Sequence, residues 1–260
     1  MTMKKSITKY VCATYLIFMV LLLITGGVLL LSDNPLLLCI LKNVCSWAPT
    51  FSLLLLLPQL KPGFSRKNFL RSLFCEKVNV RNITFIVEMQ VFLFAVTVLI
   101  LKLFFHIEPQ ESLHFSAGLL LYAVINNITS GAVGEEAGWR GYLHPYFVSH
   151  FGVVRGSFFI GLIWGFWHTP LWFITGEFIG WEIVRYIICF LIYIISTAII
   201  IGLAYEKNRN LIVPMAIHFT ANFLMAFVNS EILLTFLTIL AISYLFGAVV
   251  CCLFKKMNNY

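Results

Sequence analysis

The sequence predicts an all-α fold, a polytopic transmembrane helix bundle of about eight spans with N- and C-termini cytoplasmic. Three observations carry this reading. Of 260 residues, 60% are hydrophobic and 11% charged, where a soluble domain carries about 25% charged residues. The apolar residues gather in runs that approach the roughly 20 needed to cross a bilayer. The basic residues collect between alternate runs, as the positive-inside rule requires.

The first run, about 11–32, follows Lys4, Lys5 and Lys9. It exceeds a signal-peptide core and has no clear small-residue cleavage site, so it reads as a retained helix. The second, 38–58, is interrupted by Lys42 and Pro49. The others are 82–105, 115–133, 154–175, 182–204, 212–230 and 232–254, the fourth and seventh being short. With the N-terminus inside, the inner segments hold Lys61, Arg66, Lys67, Arg71, Lys77, Arg81, Arg140, Arg155, Lys207, Arg209, Lys255 and Lys256. The outer ones hold Asp33, Glu108, Glu111, Glu177 and Glu231, with few bases beyond Lys42, Lys102 and Arg185. The loop from Lys61 to Arg81 mixes bases with Phe64, Phe69, Leu70, Leu73 and Phe74, the pattern of an interfacial amphipathic helix. No internal repeat or low-complexity tract divides the chain, and residues 1–260 read as one transmembrane domain.

Composition also excludes some functions. Seven cysteines show no CxxC spacing, and most lie in or beside apolar runs, where a thiol acts as a small hydrophobe. The net charge of +7 matches basic cytoplasmic loops, and no stripe of base-reading character points to nucleic acid. The partners expected are the lipid bilayer and a peptide or protein substrate; the oligomeric state is not readable.

Ionisable groups beside a bilayer are costly and read by default as functional. Glu135, Glu136 and Arg140 end the fourth run. On a helix Glu136 and Arg140 share a face and can pair, while Glu135 points about 100° away. Trp164 and His168, then His218 and Asn222, each lie one turn apart on later helices. Glu135, His168, His218 and Asn222 can then meet at one depth. A carboxylate in an apolar pocket can take a proton from water, an imidazole can orient that water, and His218 with Asn222 can donate to an oxyanion. That set suits amide hydrolysis. Glu135, His168 and His218 are equally a donor set for a divalent metal such as zinc, although the HExxH signature is absent. Taken singly, Glu136 with Arg140 reads as a helix-end ion pair, and His168 or Asn222 as a helix-packing hydrogen bonder. Trp139, Trp164 and Trp167 are candidates to line the cavity. His106, His114, His144 and His150 read as interfacial, with His144-Pro145 marking a turn or helix break. Glu88, inside the third run, is a secondary candidate.

The three stretches, Glu135-Glu136-…-Arg140, Trp164-…-His168 and His218-…-Asn222, resemble the motifs of the CPBP family. That family comprises CAAX prenyl endopeptidases and bacterial bacteriocin-processing or self-immunity (Abi) proteins. The resemblance covers about 115–225, with Trp164 where the family usually has Phe. It implies an intramembrane endopeptidase in which Glu135, assisted by His168, activates water. His218 and Asn222 would stabilise the oxyanion, and Arg140 with Glu136 would brace the site. Whether Glu135 or Glu136 is the working carboxylate stays open, as does the cofactor. The alternatives are a non-catalytic immunity or scaffold protein, and a transporter with a proton relay, for which repeated halves are lacking.

Overall fold

The computed structural model describes residues 3–174 and 178–257; Glu177, expected in an outer connection, lies outside them. Helix α1 (Met3–Leu29) is followed by α2 (Pro35–Ser46) and α3 (Ala48–Leu60), which meet at Trp47 with a 49° bend. Asn34 caps α2, its side chain accepting from the amides of Leu36 and Leu37, and Pro35 takes the first-turn position where no N–H is missed. Pro49 does the same for α3, so the polar interruption of the second run becomes a helix junction.

Between residues 61 and 79 only Arg66–Ser72 is helical, as α4, capped by Ser65. Its Phe69 is buried, as is Leu73 just beyond it, while Phe64 and Phe74 are exposed. The amphipathic helix expected there is therefore seven residues long, and its apolar side faces protein. Helix α5 (Val80–Phe105) begins at an Asn79 cap and stops at His106, whose φ of 56° is left-handed. The short α6 (Pro109–Ser112) ties the outer loop to the far end of α13, with His114 N–H donating to the Phe227 carbonyl and Asn229 N–H to Ser112.

Residues 117–174 form an apolar stretch that is repeatedly broken. It comprises α7 (Ala117–Thr129), α8 (Gly131–Gly134), α9 (Glu136–Gly138), a π-helical turn (Trp139–Leu143), α10 (His144–Trp167) and α11 (Thr169–Ile174). Helix α10 is itself two limbs, folded at Gly152, where φ is +73° and a side chain would be strained. Then come α12 (Trp181–Lys207), α13 (Ile212–Met225), a 3₁₀ turn (Ser230–Ile232) and α14 (Leu233–Met257).

Among the described residues, five helical stretches are long and apolar enough to span a membrane, or six if α2–α3 count as one. The sequence gives eight because it resolves 115–133 and 154–175 separately and counts 212–230. Helix α13 has 14 residues, or about 21 Å at 1.5 Å each, short of the roughly 30 Å hydrocarbon core. It packs instead among α5, α7, α8 and α12. Helix α12 is the most enclosed of the five, packed on α10 and α14. The protein is an all-α, multi-pass membrane bundle.

Candidate active site

The site starts from a backbone break. At Ser130 the dihedrals are −112° and −129°, which end α7. The amides of Val133 and Gly138 then bond three residues back, to Ser130 and Glu135, rather than four. That frees the carbonyls of Thr129 and Gly134, and an unpaired carbonyl is costly in a membrane interior. The bent α2–α3 pair satisfies both. Trp47 Nε1 donates to the Thr129 carbonyl at 2.7 Å, and Thr50 Oγ1 to Gly134 at 2.6 Å. The indole of Trp47 lies so close that a β-carbon on Gly134 would sit 2.8 Å from it.

Glu135 falls between α8 and α9 and is 4% exposed; Glu136 is fully buried. The two carboxylates have different surroundings. Glu135 Oε2 accepts from Trp139 Nε1 at 3.0 Å and Trp164 Nε1 at 2.5 Å. Its Oε1 faces Gly131: a β-carbon there would lie 2.8 Å from Glu135 Oε1, 3.3 Å from Asn222 Nδ2 and 3.4 Å from His218 Nε2. Three polar atoms from α8–α9 and α13 thus surround a point that stays open because residue 131 has no side chain. Glu136 is turned away into a charge cluster. Its Oε1 accepts from Arg140 Nη1 at 2.9 Å and from His218 Nδ1 at 2.8 Å. Glu136 Oε2 and Arg140 Nη2 are buried without a hydrogen-bond partner among the described residues. The Arg140 guanidinium also lies 4.8 Å over the Trp164 ring, a cation–π contact.

His168 closes α10 and is partly exposed, as is Asn222, so these two mark the open side. Its Nδ1 lies 2.8 Å from the Trp164 carbonyl, which can only accept; Nδ1 therefore carries the proton and Nε2 the lone pair. His168 reaches the others through Trp164, whose ring stands 6.1 Å from that of His168 and 4.8 Å from that of His218. Trp167 packs edge-on against His168 at 4.8 Å. All three tryptophans considered as lining residues are buried here.

Several sequence readings change. Trp164 in place of Phe adds an indole donor to Glu135 that phenylalanine lacks. His144 is not interfacial: it is 1% exposed, pairs with Glu206 at 3.1 Å, and starts a helix rather than ending one. Glu88 is exposed on the outer face of α5, away from the site. Gly131, Thr50 and Trp47 were not singled out, although Gly131, Gly134, Gly138 and Gly141 recur at helical spacing, the sign of close approach between membrane helices. Among the described residues, no group of three or more His, Cys, Asp or Glu side chains converges as a metal-ligand set. Glu135, His168 and His218 therefore do not fit a zinc ion as they stand.

Fold and site define a multi-pass membrane protein with a buried carboxylate–imidazole–amide centre. Residues 112–224 match the type II CAAX prenyl endopeptidase Rce1-like family. A protein of Methanococcus maripaludis named CAAX prenyl protease 2 is 29% identical over 199 residues, covering 72% of this chain and 69% of that protein. These two findings support the CPBP family of intramembrane proteases, and with it a membrane endopeptidase.

Proposed function

We propose that this protein hydrolyses a peptide bond close to the cytoplasmic face of the membrane, using water activated by Glu135. The observation that carries the reading is the convergence of Glu135 Oε1, His218 Nε2 and Asn222 Nδ2 beside Gly131. Glu135 is held by two indoles on Oε2, which leaves Oε1 to take the proton of a water molecule. His168 presents a lone pair at Nε2 from the open side and orients that water. As the water oxygen attacks the carbonyl carbon, negative charge gathers on the carbonyl oxygen. Asn222 donates one hydrogen bond to it. His218 faces the same oxygen through Nε2, its ring oriented by the Nδ1 contact with Glu136. Preorganised donors of this kind contribute about 10²–10³ in rate each. The proton held by Glu135 passes to the leaving amine as the C–N bond breaks. Arg140 neutralises Glu136, keeping the buried charges of the cluster balanced.

The substrate class is a peptide or protein segment reached from the cytoplasmic side. The name of the relative makes a prenylated C-terminal peptide the first substrate to try, beside an unmodified peptide library. Detergent-purified wild type, Glu135→Gln, His168→Ala and His218→Ala would be assayed together, with thermal unfolding of each sample recorded. Glu135→Gln is expected to lose at least about 10²-fold in cleavage rate, the lower end for a positioned base, with its unfolding midpoint retained. Cleavage by Glu135→Gln at the wild-type rate would overturn the mechanism and move the non-catalytic immunity reading to the front.

A further inference from the structure

At the end of the bundle where α5 begins and α12 and α14 finish, a cleft of about 340 Å³ opens between the three helices. Its volume lies within the range of small-molecule sites. Phe85, Ile86, Leu203 and Phe254 form an apolar wall. Phe85 and Phe254 are more than half exposed while Ile86 and Leu203 are buried, so the wall runs from a core-packed floor to a rim open to lipid. Lys207 and Lys255, in the last turns of α12 and α14, line the same cleft. Among the described residues neither lysine makes an ion pair. The acid that also lines the cleft, Glu206, is already engaged by His144 and Arg209. The cleft therefore combines a lipid-facing apolar wall with uncompensated positive charge. The distribution of basic residues along the sequence assigns this end to the inner leaflet, where anionic lipids are found.

We propose that this cleft is a binding site for one anionic phospholipid, its phosphate on Lys207 and Lys255 and its acyl chain along Phe85, Ile86, Leu203 and Phe254. A free phosphate would leave the apolar wall without a role. A second copy of the chain, joined about a two-fold axis, would bring the same lysines together and repel. The site is separate from the proposed catalytic centre, so the claim does not depend on proteolysis.

The test is native mass spectrometry of the full-length protein in a neutral detergent, titrated with phosphatidylglycerol or phosphatidylcholine. Wild type is expected to retain phosphatidylglycerol in preference to phosphatidylcholine. A lysine near an anionic headgroup contributes about fivefold in affinity, so Lys207→Gln with Lys255→Gln should weaken phosphatidylglycerol about 25-fold. The corresponding Arg pair should keep it, and Lys5→Gln, on exposed α1, should change nothing. Cys251→Trp, which fills the cleft from its lining and leaves both lysines in place, should lose the lipid as well. Equal binding of both lipids by wild type, or wild-type phosphatidylglycerol affinity in the double Gln variant, would overturn the proposal. Should the Trp variant fail to fold, the Gln and Arg pairs, which alter only chain-end positions of the two helices, still decide it.

Discussion

The stretch from Ala117 to Ile174 and the helix α12 are both apolar enough to cross a membrane, yet the first, the less apolar of the two, is broken repeatedly and the other runs unbroken for 27 residues. Helix α12 satisfies its backbone internally and serves as the post against which α10 and α14 pack. The broken stretch gives up backbone hydrogen bonds at Ser130 and at Glu135, and recovers them from Trp47 and Thr50 on a separate helix pair. In exchange it carries the two buried carboxylates and the arginine. The contrast teaches that irregular backbone at membrane depth is tolerated where other protein elements take over its polar groups, and that those breaks aim side chains which a regular helix would direct elsewhere.

If the breaks are maintained by specific partners, removing a partner should hurt the broken stretch far more than an equivalent change elsewhere. The largest stability effect is expected from Arg140→Met. It leaves the Glu136 charge buried without its cation, and breaking such a pair costs about 3–5 kcal/mol. A lowered thermal unfolding midpoint in detergent checks it, and an unchanged midpoint would mean that the ion pair braces nothing. Next comes Gly131→Ala, which sets a methyl group among Glu135 Oε1, Asn222 Nδ2 and His218 Nε2. A displacement of about 1 Å in a reacting group costs about 10²-fold in rate, measured as cleavage. Gly118→Ala, in the same stretch but with open space around it, should cost nothing and gain up to about 1 kcal/mol of helix stability. Equal effects of the two alanines would remove Gly131 from the site. A loss of stability smaller than that of Arg140→Met is expected for Thr50→Val, which leaves the Gly134 carbonyl without its donor at a cost of about 1–3 kcal/mol. Its reading is again thermal unfolding, and a neutral result would show that the carbonyl finds another partner.

Much of this was legible in the sequence, for identifiable reasons. Long apolar runs and basic loops are local signals, so the bundle and its membrane setting could be read directly. The Glu136–Arg140 pair followed from helical spacing, and the motif residues stood out because charge is rare in such a chain. What was hidden depends on contacts distant in sequence. Nothing local to Thr50 or Trp47 says that each caps a carbonyl about 80 residues away. The short α13 looked like a span because hydropathy counts residues without asking whether they face lipid or neighbouring helices. The burial of His144 depends on Glu206, 62 positions later. Which carboxylate faces the open point was likewise undecidable from spacing, since neighbouring positions exchange roles with one residue of rotation.

The π-helical turn at Trp139–Leu143 has a further consequence. The amide of His144 reaches back five residues to Trp139 rather than four, so this turn holds one residue more than its α-helical equivalent. Removing one residue between Gly141 and Leu143 would let the turn close as a regular helix with His144 still on nearly the same face, whereas closing it with all its residues kept would swing His144 by about 100° away from Glu206. Here the number of residues matters as much as their chemistry. A related chain that lacks the extra residue should therefore still present the residue equivalent to His144 on the same face.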